Sequence, residues 1–547
     1  MALTPDRMNF LAALSAAAAL SGCVIPAPST QPASDRYTVE EWVPGSSMHG
    51  VHGLAFGPDG QLYGASLTGY SIYRIDPVSG VVTTAVGPPE GNADDVAFGP
   101  DGQMVWTAGA FGRVYGQLPG GDVTTLAKDL PGVNSVNFSP DGRLFLTRVF
   151  AGDALYELDP RGVKPPRLIL DKLGGLNGFE VTAAGKLYGP LFFKHKVVEI
   201  DVNTGEMTDV ADGFKVPAAV NIDGHGNLYV VDIESGEVTR IRLATRERQV
   251  IATLEPPLDN LAIDRRGWLF VSNPAANRIT EINPETGHTR IVVGGSMSSP
   301  GGIATGTSGG GEAVFVADFW GNRIVAADTG ALTAWQRPKG VPSSGAVAVA
   351  GDRFALSSIW PIGAVFLADL NTNKVLRNVA LGAPYGLAFL PDGSLLIADY
   401  KGNQLLRLAG AEGRDKTVMA AGLDGPVGVA AATDVVYVTE YGAGTLARIA
   451  LADGARSVIA TGLDRPEGIA VDRDGWLIVA ETGRDRLLRV NPAGGEREVL
   501  ATGIPMGLAG GPDLPPPFLF SGVAVGADGT VYASSDRRNA VYRIRRP

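Results

Sequence analysis

Apolar and polar positions alternate along most of this chain, and the alternation restarts every few dozen residues. Residues 53–66 read GLAFGPDGQLYGAS; they return with small changes at 95–108 as DVAFGPDGQMVWTA and at 386–399 as GLAFLPDGSLLIAD. Aligned on this phrase, repeats start near 53, 95, 135, 178, 219, 260, 302, 346, 386, 428, 468 and 522. The period, about 42 residues, is that of a four-stranded unit. Each repeat predicts the same four strands. An apolar stretch such as GLAF meets a Pro-Asp-Gly turn, where glycine supplies the positive φ that a tight hairpin needs. A more buried strand follows, such as LYVVD (228–232) or VFVAD (314–318). A third alternates, as in RITEINP (278–284), and a fourth, as in HTRIVV (288–293), is polar enough for an outer edge. No segment carries a convincing helical period, so the chain reads as all-β.

One such sheet cannot bury both of its faces, so the units must pack on one another around an axis. The expectation is therefore tandem β-propellers: twelve units divided into two six-bladed rings of four-stranded blades. The first ring would occupy 48–300 and the second 301–547, with SSPGG (298–302) as the break. A single twelve-bladed disc is the alternative. The last unit ends at VYRIRRP (541–547) without a fourth strand. YTVEEWV (37–43), inside the segment 37–47, has the composition of that strand, which predicts that it closes the second ring and that the chain crosses between rings twice.

At 547 residues the chain is too long for a single core, which agrees with two domains. Its 73 glycines and 37 prolines suit a molecule dense in turns. A formal charge of −11, with no basic stripe, argues against a nucleic-acid partner. Residues 1–22 read as a signal peptide: the apolar run NFLAALSAAAAL (9–20) is too short to span a bilayer as a mature helix. Leu20-Ser21-Gly22-Cys23 resembles the lipobox of bacterial lipoproteins, which implies lipidation of Cys23, export, and anchorage to a bacterial membrane on the periplasmic side or the cell surface. Cys23 is the one cysteine in the chain, so no intramolecular disulfide can form. Residues 23–36 are rich in Pro, Ser and Ala and read as a flexible tether.

The residue that precedes each innermost strand lies at the mouth of a propeller's channel. In the first six units it is His52, Asp94, Asn134, Asn177, Ala218 and Asp259; in the last six it is Gly301, Gly345, Tyr385, Val427, Glu467 and Ser521. The first set supplies hard oxygen atoms, which suits calcium, with Asp95 and Asn260 next in sequence as further donors. The same residue types also cap strand entries and satisfy turn amides, so a purely structural role stays open. The recurring acids Asp318, Asp399, Glu440 and Glu481 read as anchors between units, and the loop GPDLPPPFLF (511–520) as an insertion at the channel face.

Asn177-Gly178-Phe179, Asp259-Asn260-Leu261 and His52-Gly53-Leu54 resemble the mouth signatures of the six-bladed, calcium-dependent lactonase superfamily: the regucalcin and gluconolactonase enzymes and the paraoxonase-type lactonases. VADFWGNRI (316–324), IADYKGNQL (397–405) and VAETGRDRL (479–487) resemble NHL-type repeats. The first resemblance implies a calcium ion held by Asp94, Asn134, Asn177, Asp259 and Asn260. It also implies hydrolysis of a small lactone or ester, with His52 or Asp95 as the base. Two departures stand out: Ala218 interrupts the ligand series, and no Glu-Gly-Pro begins a unit. The alternative is a non-catalytic scaffold that binds a protein or glycan partner.

Overall fold

The computed structural model describes residues 36–335, 338–358, 362–511, 514 and 516–546. The signal segment, Cys23, nearly all of the tether and loop residues 512, 513 and 515 lie outside the described residues. Forty-eight strands are found among the described residues, grouped into twelve antiparallel sheets of four. Helical structure there is limited to four single 3-10 turns.

The repeat unit shows why each sheet forms. In the first, Leu54–Phe56, Leu62–Ser66, Ser71–Ile75 and Val82–Val86 pair in that order. The hairpin between the first two closes at Asp59-Gly60: Asp59 Oδ1 accepts from the Gln61 amide at 3.1 Å, and Gly60 takes φ +75° with open space where a side chain would be. A β-carbon there would meet no atom, so backbone conformation alone demands the glycine. The same carboxylate-to-amide bond recurs at Asp101, Asp392, Asp472 and Asp528.

The hydrophobic core lies between sheets. Leu54, Leu62 and Tyr73 of the first sheet pack with Ala262, Phe270 and Ile279 of the sixth. Ala97, Val105 and Val114 pack with Val136, Leu144 and Leu146 of the next sheet along. Sheets joined face to face through such slabs, with their first strands innermost, make a β-propeller. The innermost strands run Leu54–Phe56, Asp95–Phe98, Val133–Phe138, Glu180–Val181, Pro217–Ile222 and Leu261–Ile263, each against the next, and the last returns to the first. From Pro300–Ser308, a second series passes through Ala346–Ala350, Pro384–Phe389, Pro426–Ala431 and Pro466–Val471 to Val523–Val525. That strand in turn packs on Pro300–Ser308.

The sheet that contains Val523–Val525 takes its outermost strand from the other end of the chain. Thr38–Val43 pairs antiparallel with Ala540–Arg545, from Thr38 opposite Arg545 to Val43 opposite Val541. Residues 44–52 then lead into the first sheet and pass the segment at 295–299 that leads out of the sixth. Asn277, fully buried, ties these crossings together: its Nδ2 donates to Met48 O and Met297 O, both at 2.8 Å, and its Oδ1 accepts from Gly50 N at 3.1 Å. Arg323, from the C-terminal half, donates to Ala275 O and Ser296 O at the same junction.

The acids at 318, 399, 440 and 481 bind backbone amides of the preceding connection. Asp318 accepts from Ser298 N and Ser299 N, Asp399 from Ala383 N, Glu440 from Asp424 N and Glu481 from Asp464 N. Each carboxylate fastens the chain entering its sheet to the end of that sheet's second strand.

Candidate functional site

The loops that enter the innermost strands and those that leave the second strands of the N-terminal half enclose a pocket of about 890 Å³. Its lining includes His52, Asp94, Asp95, Asn134, Ser135, Asn177, Ala218, Asp259 and Asn260. Hydroxyl side chains at the ends of second strands hold several of these residues in place. Thr107 Oγ1 donates to Asn134 O, and Ser272 Oγ donates to His52 O at 2.6 Å while accepting from Asn260 N at 3.0 Å. Each hydroxyl thus pins the mouth residue of the neighbouring sheet to its own.

On this frame the polar side chains form a connected floor. His52 Nδ1 lies 3.2 Å from Asp259 Oδ2 and 4.0 Å from Asp94 Oδ1. Asn134 Nδ2 donates to the other oxygen of Asp94 at 2.5 Å. The Ser135 hydroxyl lies 3.2 Å from Asn134 Oδ1 and 3.1 Å from Asn177 Oδ1, so it joins the two amides. Asp95 and Asn260 turn away from this group. Asp95 accepts from Val96 N, Val136 N and Asn260 Nδ2, and Asn260 Oδ1 accepts from Leu261 N at 2.7 Å. These two side chains therefore stitch the second, third and sixth sheets together inside the channel. Ser135 had no mark in the sequence beyond following Asn134.

Burial dominates the electrostatics. It pushes the Asp94 carboxyl up to about 7, against the pull of His52 and with the push of the Asp259 charge. It pushes Asp95 up to about 8, against the Val136 amide and with the push of Asp94. For His52 burial works against the charged form, but the negative charges of Asp259, Asp94 and Asp95 outweigh it and raise the imidazole above its ordinary value. Its Nε2 is buried and makes no hydrogen bond. His49, three residues earlier, is differently engaged: Nε2 donates to Asp536 O at 2.7 Å and Nδ1 accepts from the Tyr73 hydroxyl at 2.9 Å. Burial lowers its pKa to about 4, so it serves as a neutral structural link.

The walls above this floor are apolar: Leu67, Phe111, Val133, Val149, Phe150 and Phe192. Trp320 completes them and comes from the C-terminal half, its ring centroid 4.5 Å from that of His52 at 65°. No repeat position announced it. A pocket with a carboxylate, carboxamide and imidazole floor and aromatic walls suits an apolar molecule that carries one polar reacting group.

Among the described residues no group of three or more His, Cys, Asp or Glu side chains is set to hold a metal ion. The donor set at the floor is two carboxylates and two carboxamides, which is oxygen chemistry fit for a hard cation such as calcium and unfit for a soft one. Ala218 adds nothing to it.

No family model matches the chain, and a search of curated proteins finds no match. Among solved structures the chain is similar to one described as a nidogen/laminin complex, with a TM-score of 0.38 and 17% identity over 42% of this chain and 91% of that one. It is also similar to a streptogramin B lyase, with a TM-score of 0.26 and 13% identity over 60% of this chain and 93% of that one. Neither likeness bears on the chemistry of the pocket.

Proposed function

We propose that the twelve sheets form two six-bladed propellers and that the N-terminal one is a hydrolase of apolar lactones or esters. The return of Leu261–Ile263 to Leu54–Phe56, and of Val523–Val525 to Pro300–Ser308, supports the division into rings. The observation that carries the chemistry is the His52–Asp259 pair, with Nδ1 held at 3.2 Å and Nε2 left without a partner beside an apolar-walled pocket. A carboxylate on one imidazole nitrogen orients the ring and leaves the other nitrogen to take a proton from water. Asp94, Asn134, Asn177 and Asp259 would hold a calcium ion, which when bound polarises a carbonyl group. Export and a lipid anchor at Cys23 belong to the same proposal and rest on the sequence of residues 9–23 alone.

Two measurements test this reading. Calorimetry with calcium chloride should show binding by the wild type and a loss of about tenfold or more in Asp259→Ala and Asn177→Ala, since each removes a donor oxygen. Unchanged affinity in both would remove the ion from the proposal. Hydrolysis of 4-nitrophenyl butyrate and δ-decalactone should fall by about a hundredfold in His52→Gln, the usual cost of losing a positioned base. Absence of turnover in the wild type with calcium present would reject catalysis.

The second reading, a propeller that binds a protein or glycan partner, is favoured by one feature. Phe150 and Phe193 stand 68% and 54% exposed at the pocket rim and contact Phe192 edge to face, forming an aromatic patch open to solvent.

A further inference from the structure

The side chain in ring contact with His52 belongs to the other half of the molecule. Trp320 follows the strand Gly311–Asp318 and reaches across the junction to the first pocket. Its neighbours fix the backbone that delivers it: Phe319 N donates to Ser299 O at 3.2 Å, Arg323 Nε donates to Ser296 O at 3.1 Å, and Asn322 Oδ1 accepts from the Ser344 hydroxyl. Opposite the indole stands Gly50, at φ +33°. A β-carbon on Gly50 would lie 2.7 Å from Trp320 Cδ1 and 3.0 Å from its Nε1, so the glycine makes room for the ring. Gly50 is itself held by Asn277, which ties both chain crossings.

The contact has an unusual balance. His52 Nε2 and Trp320 Nε1 are both buried, and neither has a hydrogen-bond partner. No hydrogen bond of either ring nitrogen is broken when the two rings part, so packing alone holds the cover in place. The pocket beside them, about 890 Å³, leaves space for the indole to turn into while its backbone stays fixed.

We propose that Trp320 is a positioning residue that covers Nε2 of His52, so that the site in the N-terminal half is completed and gated by the C-terminal half. This rests on the reading of His52 as the base. With the indole in place, Asp259 holds one edge of the imidazole and Trp320 shields the nitrogen opposite. A substrate whose apolar body fills the wall of Phe111, Val149 and Phe150 displaces the indole and admits the reacting carbonyl to His52. Small polar esters lack the bulk to hold it aside. The specificity follows: an apolar body is selected by the residue that must move.

Carbethoxylation reads this cover without any substrate, because an unprotonated imidazole nitrogen must reach and attack a carbonyl of diethyl pyrocarbonate, releasing carbon dioxide and ethanol. Peptide mass mapping at one fixed pH gives a separate rate for each of the five histidines. His225 and His288, both exposed, calibrate fast reaction, and buried His49 reports on global opening. In the wild type, His52 should react far more slowly than His225. Trp320→Ala should speed His52 by at least about tenfold with His49 unchanged, as expected when protection is local. Trp320→Phe, which keeps a ring over the imidazole, should stay near the wild-type rate. Gly50→Ala, which pushes the indole off while keeping it in the chain, should behave like Trp320→Ala. Fast reaction of His52 in the wild type would overturn the proposal, as would an unchanged His52 rate in Trp320→Ala or equal acceleration of His49. Because the readout needs no turnover, a protein that hydrolyses neither ester nor lactone could still show the cover, and the two proposals fail separately.

Discussion

Glu467 and Asp536 are fully buried in the C-terminal half. Glu467 accepts from the Thr482 hydroxyl at 2.9 Å and Ser521 N at 2.7 Å, and Asp536 accepts from Leu508 N at 2.7 Å. Burial, with the charge of Asp536, pushes Glu467 up to about 8, and burial pushes Asp536 up to about 6. An acid whose folded pKa exceeds its ordinary 4.5 costs stability wherever it must ionise, so the cost is absent below that value and complete above about 8. Glu467→Gln should therefore melt several degrees above the wild type near pH 9, with the advantage vanishing near pH 5; calorimetric scans at the two pH values check the sign. Glutamine keeps an acceptor for Ser521, and the Thr482 hydroxyl can turn to accept from the new amide. At this scale the sequence was only partly readable. His52, Asp94, Asn134, Asn177 and Asp259 could be named together because a repeat brings the same position to the same place. Asp95 and Asn260 could not be assigned a direction, because neighbours along a strand point opposite ways and the turn into the strand sets which of them faces the pocket. Trp320 was invisible, since nothing local links position 320 to position 52.

Strands were the most readable elements, because period-two alternation and Asp-Gly turns are written locally. Hidden from the pattern was a register shift that recurs between third and fourth strands, at Ile72/Tyr73, Val114/Tyr115, Leu405/Leu406 and Leu446/Ala447. These are ordinary apolar pairs, and the shift answers to the twist of the sheet on its neighbour. The strand Thr38–Val43 poses its own test. Glu40 pairs with Arg543 at 2.9 Å, Arg543 lies over the Trp42 ring at 5.0 Å, and Val43 joins the slab shared with Val314 and Val541. Deleting residues 37–43 leaves Ala540–Arg545 as a bare edge. Amide exchange should accelerate in Ala540–Arg545 and Val531–Ser535 while Leu54–Ser66 keeps its protection. Faster exchange in the N-terminal half alone would contradict the pairing as a support of the C-terminal half.

At the scale of the molecule, the two halves meet where both chain crossings run side by side. Asn277 makes three hydrogen bonds there, and its buried site offers no water in exchange. Asn277→Ala should cost about 3 kcal/mol by leaving the Met297 carbonyl and the Gly50 amide unpaired, while Met48 O keeps its bond from Asn539 Nδ2. It should also separate one calorimetric transition into two as the halves lose their shared fastening; a single transition at an unchanged temperature would show that the junction is held elsewhere.

The pairing of Thr38–Val43 with Ala540–Arg545 has a consequence for synthesis. Every sheet from Leu54–Phe56 to Thr289–Gly294 is built from consecutive residues and can assemble as the chain emerges, whereas the final sheet waits for residues made some five hundred positions apart. The earliest strand must therefore persist unpartnered through almost all of translation, a long-range closure of the slow kind. Its two adjacent glutamates give it charge during that interval, which discourages pairing with the wrong edge. A ribosome stalled before residue 540 would carry eleven sheets of consecutive strands and a twelfth still open.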